Sequence, residues 1–562
     1  MRALHRPMPL RRVLRSVPEV AVAILAIACM SDPDPGDVVG DPTAEVAESG
    51  PIACADPGAR SVARWDRKQA DEQPIPGAYC SGGGLAVDDL DGDGRMDLFA
   101  PSEQTVQLWW GSGGGLFDED AAASLASATL DMAVGAVPVD YDGDGDLDLF
   151  VTRWEAPNAL LRNDGGRAFT DVSVASGLAG PSTRHQSASW ADIDADGDLD
   201  LFVGTYGQWT IVLDGESAGG CDDHLPDPAE LYRNEGDGTF TDISDLLPPE
   251  VHAGYTFASG FYDLDDDSFP ELFVSNDDGL CGPSVLVDNV DGSTFTVDAG
   301  SQFHPASHDM GMAVGDLNDD ELPDFALTSW KTVAVLRSTA SDSQQNGALW
   351  IDAGSSLGIT VDPTGDRTQH VYGWGAEFGD VDNDADLDLA MTFGYWSTYD
   401  GDGDPLRQAD GLWIQGADGQ FSNQAAAYEI DDNGISRSVV FADLNDDGWL
   451  DVSKRILDGV TPMYQSRCGA ESWLRLRLVG EGANTRAVGA RVRLYAGGVR
   501  QVRWQTAGSS GMYTGSPQEL HFGLGAVEAV DRIDVVWPDG LVTTNAFDGG
   551  LAARQVVTLT HP

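Results

Sequence analysis

Positive charge is scarce in this chain: 32 Lys and Arg face 92 Asp and Glu over 562 residues, and Lys occurs only at positions 68, 331 and 454. A net charge of −60 excludes nucleic-acid binding as a default reading, because phosphates would be repelled. It points instead to solubility, cations or both. Long apolar runs are also missing. None reaches the roughly 18 residues that suggest a membrane-spanning helix. Cysteine is sparse, with six in all, and none has the C-x-x-C spacing of a zinc site. G-x-S-x-G, H-E-x-x-H, P-loop and Rossmann patterns are absent, so no enzyme motif stands out. Apolar residues are not lacking: at 42% they suffice for a core and exclude a disordered acidic tail. The length suits two to four domains or one large repeat array. With 67 Gly and 15 Trp, frequent tight turns and large aromatics read as an all-β repeat protein.

The first 29 residues read as an export signal. Arg2, Arg6, Arg11, Arg12 and Arg15 precede the short apolar run Val20 to Ala28, which is too short to span a bilayer. Cys29 follows Leu25-Ala26-Ile27-Ala28, which resembles a bacterial lipobox, so a lipid-modified Cys29 is expected. The alternative is an ordinary signal peptide. Residues 30–59 then read as an acidic, Pro- and Gly-rich tether. These features predict a cell-envelope or cell-surface protein, touching a membrane only through the lipid.

An acidic nonapeptide recurs seven times, each copy followed by a short apolar run. The copies begin at Asp89, Asp140, Asp192, Asp263, Asp316, Asp380 and Asp443, spaced 51, 52, 71, 53, 64 and 63 residues apart. That spacing fits one four-stranded sheet per repeat. Oxygens at positions 1, 3, 5 and 9 can converge on one hard cation, with a backbone carbonyl from position 7, as Ca²⁺ prefers. The candidate ligands are Asp89, Asp91, Asp93 and Asp97; Asp140, Asp142, Asp144 and Asp148; Asp192, Asp194, Asp196 and Asp200; and Asp263, Asp265, Asp267 and Glu271. Asp316, Asn318, Asp320 and Asp324, then Asp380, Asp382, Asp384 and Asp388, then Asp443, Asn445, Asp447 and Asp451 complete them. Up to seven Ca²⁺ ions are expected. Turn chemistry alone could place Asp and Gly in one such loop, but seven copies in register argue for a cation. Gly at position 6 permits a sharp reversal. It is present in loops one, two, three and seven, which are therefore expected to bind more tightly than loops four, five and six, where Ser268, Glu321 and Ala385 replace it.

These loops resemble the FG-GAP/VCBS repeat family, the type found in integrin α-subunit propellers. The strand signature LYRNEGDGTFTD at Leu231–Asp242 matches too, with weaker copies at 160–171, 108–117 and 412–421. The resemblance covers about residues 60–468 and implies a seven-bladed β-propeller. The seventh repeat lacks an FTD-like fourth strand, and the segment around Ser61 to Trp65 is placed to supply it and close the ring. From residue 470 the acidity ends, with nine Arg against eight acids. Alternation such as Trp473-Leu-Arg-Leu-Arg-Leu-Val predicts a small β-sandwich-like domain over 470–562. This segment closely resembles the ASPIC/UnbV domain, which follows FG-GAP repeats in the family of cartilage acidic protein and its bacterial relatives. The resemblance implies extracellular Ca²⁺ binding and transfers no catalytic residues. Asn484, Arg486, Gly489 and Arg491 match its most recognisable stretch and read as turn and strand structure.

The leading functional expectation is a surface protein that binds a glycan or protein partner. A Ca²⁺-dependent, lyase-like polysaccharide-cleaving enzyme and a purely structural surface protein are the alternatives. Residues following each second strand should gather on the face opposite the acidic loops: Arg153, Trp154, Tyr206, Trp209, Trp330, Lys331, Tyr395, Trp396, Lys454 and Arg455. Aromatics and bases there would suit a sugar or an acidic polymer. The alternative is that the aromatics cover seams between blades. His185, His252, His308 and His370 each lie 7 to 11 residues before a loop start and read as recurring structural histidines. Oxidation after export suggests a Cys221–Cys281 bond, and a bond from Cys468 to Cys54 or Cys80 that staples the ring.

Overall fold

The computed structural model describes residues 43–50, 52, 62–64, 82–102, 106–119, 121–208, 225–277, 282–297, 308–330, 332–339, 349–361, 371–395, 408–457, 461–466, 468–508 and 511–562. Cys29, Cys54, Cys80, Trp209, Cys221, Cys281, Lys331, His370 and Trp396 lie outside them, and with them the lipid anchor and the expected disulfide pairings. Cys468 is buried against Trp449 and Trp473, with Ile52 beside them.

The all-β expectation holds. Each acidic loop joins the first two strands of a sheet with four antiparallel strands, to which a short C-terminal strand is added in the first and third sheets. In the second sheet these strands are Ala133–Val139 and Asp148–Arg153, followed by Ala159–Asn163 and Phe169–Asp171. The third sheet repeats this with His185–Ala191, Asp200–Thr205, Glu230–Asn234 and Phe240–Asp242, so LYRN and FTD are the third and fourth strands. The first strands are apolar or small on both faces, as strands buried on two sides must be; all seven residues of Ala133–Val139 are buried. Each first strand contacts the next around the molecule, and Ser436–Ala442 of the seventh sheet contacts Leu85–Asp88 of the first, closing a propeller-like circuit. The seventh sheet takes its fourth strand from Val62–Arg64, paired antiparallel with Pro462–Tyr464. The expected joining of the chain's two ends is thus observed, and it removes an open edge.

The C-terminal segment forms two four-stranded sheets over one apolar cluster that includes Leu474, Leu476, Val492, Leu494, Phe522, Ile533 and Trp537. One strand is not C-terminal: Glu45–Glu48 pairs antiparallel with Gln555–Thr560. Part of the expected tether is therefore an ordered edge strand, because its alternating Val46 can reach the C-terminal core.

The C-terminal domain is not a separate appendage. Described residues 505–508 and 511–518 enter the centre of the ring. Ala507 and Gly508 pair with Trp190 and Ser189 of the third sheet's first strand. Thr514 and Gly515 run parallel to Leu85 and Ala86 of the first sheet. At the tip, Met512 and Tyr513 are fully buried among Val134, Trp154, Tyr206, Tyr255, Phe257, Met310 and Trp374. Gly84 makes room for them: a Cβ there would stand 2.7 Å from the Tyr513 carbonyl oxygen.

Candidate metal centres and the channel mouth

All seven acidic loops share one hydrogen-bond pattern. The position 1 carboxylate accepts the amide of position 6, as Asp140 does from Gly145 at 2.9 Å and Asp380 from Ala385 at 2.8 Å. The position 9 carboxylate accepts the amide of position 2, as Asp200 does from Ile193 at 2.9 Å. Its other oxygen ties the loop to the third strand in six loops; in the third sheet, Asn234 donates its amide to Asp200 at 2.8 Å. Position 6 has positive φ in every loop, at 96° for Gly145, 68° for Ser268, 69° for Glu321 and 85° for Ala385. Position 4, which the sequence reading passed over, does the same, from Gly92 at 71° to Asp446 at 61°. Asp, Asn and Gly tolerate that region best, which explains their recurrence there. The missing Gly at position 6 thus changes the cost of the loop and leaves its shape intact.

Carboxylate oxygens of positions 1, 3 and 9 lie within 4.8 Å of one another in five loops: Asp89, Asp91 and Asp97; Asp140, Asp142 and Asp148; Asp192, Asp194 and Asp200; Asp263, Asp265 and Glu271; Asp380, Asp382 and Asp388. Loops five and seven carry Asn318 and Asn445 at position 3. Position 5 instead caps the turn: Asp144 accepts the amide of Asp146 at 3.0 Å and Asp447 that of Trp449 at 3.0 Å. Burial, reinforced by the neighbouring carboxylates, pushes Asp97 and Asp380 up to about 8 and Asp148, Glu271 and Asp388 up to about 9. Asp200 and Asp451 are pushed well up for the same reasons. Buried oxygens of Asp89, Asp194 and Asp382 have no hydrogen-bond partner. Hard anionic oxygens, clustered, desolvated and incompletely bonded, fit a divalent metal ion, which would neutralise charge that otherwise requires protonation.

The C-terminal domain lies against this loop face. Its alternation turns Leu474 and Leu476 inward and Arg475 outward. Arg475 is 2% exposed and lies 2.6 Å from Asp443 and 3.4 Å from Asp446, and it also pairs with Glu519. Arg491 meets Asp266 at 2.6 Å, and Arg493 meets Glu321 at 2.7 Å. Arg486 donates to the carbonyl of Gly145 at 3.3 Å. Arg486 and Arg491 therefore hold the interface as well as local structure, whereas Asn484 braces its turn by bonding both ways with Val488 at 2.8 Å. Gly448, at position 6 of loop seven, also permits close approach, since a Cβ there would fall within the Trp473 ring.

The opposite face corrects part of the expected ligand surface. Lys454 is 2% exposed and bound to Asp410 at 2.9 Å, Asp432 at 2.6 Å and the Ile430 carbonyl at 2.6 Å. Arg455 is 1% exposed and donates to Thr461 at 2.9 Å. Arg153 donates to the carbonyls of Asp131 and Pro157. Lys454 and Arg455 are thus bound to partners inside the protein, and Arg153 to carbonyls beside it at the surface. Trp154 and Tyr206 are buried 6.0 Å apart in the channel cluster, as the seam alternative required. Trp330, Tyr372 and Tyr395 remain partly exposed: Trp330 stacks on Tyr372 at 6.2 Å, and Tyr395 meets Tyr372 edge-on at 4.9 Å. Tyr372 belongs to this patch but precedes a first strand, so a search of the segments after second strands missed it. Two of the recurring histidines are structural in the expected way. His185 contacts Glu230 at 3.1 Å and the Arg153 carbonyl at 3.0 Å, and His308 contacts Asp277 at 2.7 Å.

Comparison with known proteins accords with this architecture. The FG-GAP-like repeat model matches residues 89–151 and 140–203, and the ASPIC and UnbV model matches residues 480–562. Human cartilage acidic protein 1 is 22% identical over 320 residues, which is 51% of this chain and 44% of that protein. The chain thus matches less than half the length of that relative. A solved Agrocybe aegerita lectin, described as recognising non-reducing terminal N-acetylglucosamine, is 16% identical; the match covers 62% of this chain and 80% of the lectin at a TM-score of 0.37. The BBS1N chain solved in complex with ARL6DN is 9% identical, with 70% and 95% covered and a TM-score of 0.37. Scores of this size carry no argument. By sequence, the chain carries FG-GAP-like repeats and a C-terminal ASPIC and UnbV domain.

Proposed function

We propose that this chain is an exported, seven-bladed calcium-binding propeller, lipid-anchored through Cys29, that binds an extracellular glycan or protein partner. The observation that carries the metal part is the convergence of three acidic side chains within 4.8 Å in five loops built alike. Calcium suits them better than magnesium, because all-protein oxygen cages with carboxylates and turn carbonyls match its larger, looser shell. Bound calcium would supply fixed positive charge under the C-terminal domain. The chain's own groups hold the backbone of each loop and tie it to the third strand.

The partner site belongs at the end of the channel away from the loops. Described residues 505–508 and 511–518 fill the ring from the loop side. Trp330, Tyr372 and Tyr395 offer partly exposed ring faces on the other, and flat amphipathic rings suit sugar or peptide contacts. A glycan array probed with and without calcium tests the reading. Selective binding that is lost in Trp330→Ala/Tyr372→Ala, with calcium-dependent melting unchanged, is the expected result. Binding that survives the double substitution would move the site elsewhere. Incubation with uronic-acid polymers, read for unsaturated products, separates the lyase-like alternative.

A further inference from the structure

The first acidic loop already holds a cation of the protein's own. Arg167 lies in the turn between the third and fourth strands of the second sheet. Its Nε is 2.6 Å from Asp91 Oδ2, at position 3 of loop one, and its Nη2 is 3.8 Å from Asp93. The guanidinium rests 5.0 Å over the Trp110 ring. The Asp91 side chain is 7% exposed and that of Arg167 38%, so the carboxylate is desolvated while solvent partly screens the guanidinium. Arg95, within the loop, also pairs with Asp93. The backbone adds weight to the assignment. Arg167 has φ +67°, where the matching turn of the third sheet has Gly238 at +82°. A long side chain is disfavoured in that conformation, so Gly would suit the turn better unless the side chain's contacts compensate. Among the described residues no arginine or lysine comes within ion-pair distance of the triads Asp140, Asp142 and Asp148; Asp192, Asp194 and Asp200; or Asp380, Asp382 and Asp388; Arg162, Arg233 and Arg503 act on Asp142, Asp194 and Asp380 only from further away.

We propose that Arg167 is a tethered counter-cation that makes loop one a weak calcium site, reversing the rank its glycine at position 6 suggests. The proposal rests on the calcium reading of the loops. A divalent ion entering loop one must displace or tolerate a guanidinium on one of its own ligands, whereas loops two, three and six present all three carboxylates without one. Loop seven joins the weak class for a similar reason, because Arg475 is 2.6 Å from Asp443 and position 3 is Asn445.

Calcium titration of the full-length chain by calorimetry or equilibrium dialysis at low salt tests this. Wild type should show tight and weak classes. Arg167→Gly should move one equivalent from weak to tight, with affinity rising about tenfold or more, since each tenfold needs only ~1.4 kcal/mol. Arg167→Lys should keep that equivalent weak. Asp89→Asn added to Arg167→Gly should remove the gained equivalent, which assigns it to loop one. An unchanged distribution in Arg167→Gly, identical behaviour of the Lys and Gly variants, or a gained equivalent that survives Asp89→Asn overturns the proposal. A wild-type chain that binds no calcium instead overturns the parent reading.

Discussion

Replacing Asp194 by Ala should change stability in opposite directions with and without calcium. Asp194 stands at position 3 of loop three, within 4.8 Å of Asp192 and Asp200, and one of its oxygens has no hydrogen-bond partner. Two ionised carboxylates no more than 4.8 Å apart repel by roughly 3.5 kcal/mol or more at an effective dielectric of ~20. The relief on removing one is smaller, because Asp194 is partly solvated and burial already drives Asp200 toward its protonated form. A gain of about 1 kcal/mol in chelator is the working figure. With calcium at about 100 times its Kd, losing the site forfeits about 2.7 kcal/mol. Melting followed by calorimetry in chelator and in excess calcium should therefore show Asp194→Ala at or above wild type in the first and below it in the second. Asp198→Ala, outside the triad, serves as the control and should show no crossover. A shift of the same sign in both buffers would refute the reasoning, because it would mean that Asp194 stabilises the loop by something other than holding a cation.

Tyr513→Ala empties the tip of the segment inside the ring and should cost about 3–5 kcal/mol, the usual range for a buried aromatic. Hydrogen exchange should quicken in Leu85–Asp88 and Ala133–Val139; unchanged protection would mean the tip contributes little to docking. Arg475→Met leaves the buried carboxylate of Asp443 without its partner, and Glu519 with Arg477 alone, and should cost about 3–5 kcal/mol in denaturant unfolding. A loss under about 1 kcal/mol would show that the pair merely offsets its own desolvation. Glu377 accepts a hydrogen bond from the Ser516 hydroxyl across the same interface at 2.9 Å, and burial pushes it from 4.5 up to about 8. The native state therefore keeps a proton the unfolded chain has released. This stabilisation is complete below about pH 4.5 and is lost as pH rises to about 8. Glu377→Gln should flatten that part of the stability–pH curve, and an identical slope in the variant would rule Glu377 out as its source.

Sequence periodicity specified the sheets well, because a nonapeptide flanked by strands of fixed length leaves little freedom for the chain between them. Even the closure by Val62–Arg64 was legible, since the seventh repeat was one strand short. The acidic triads were legible for the same reason: positions 1, 3 and 9 are local, and their backbone partners lie within the loop or on the next strand. Charge at a distance was not legible. Lys454 reads as an exposed base until Asp410 and Asp432, 44 and 22 residues away in the chain, are seen around it. Arg167 reads as an irregular turn residue until the neighbouring sheet brings Asp91 beneath it.

The docking of the C-terminal domain shows the same limit and also what the sequence did contain. Alternation in Ser472–Val479 and Arg491–Ala496 separates Leu and Val from Arg, and a free domain would present those arginines to water. Nine arginines in a segment with eight acids, beside repeats crowded with carboxylates, are a complementary pair of charge patterns. The arginines settle on positions 1, 4 and 6 of loops four, five and seven, at Asp443, Asp446, Asp266 and Glu321, and among the described residues none of them pairs with the five carboxylate triads. Docking and metal binding can then add rather than compete in loop four, where Arg491 neutralises the outer Asp266 and leaves Asp263, Asp265 and Glu271 to the ion, whereas in loop two Thr485 of the C-terminal domain donates directly to Asp140. The fully buried Met512 and Tyr513 supply what charge cannot, an apolar anchor that salt does not screen. High salt should accordingly loosen the arginine contacts while leaving the central segment in place.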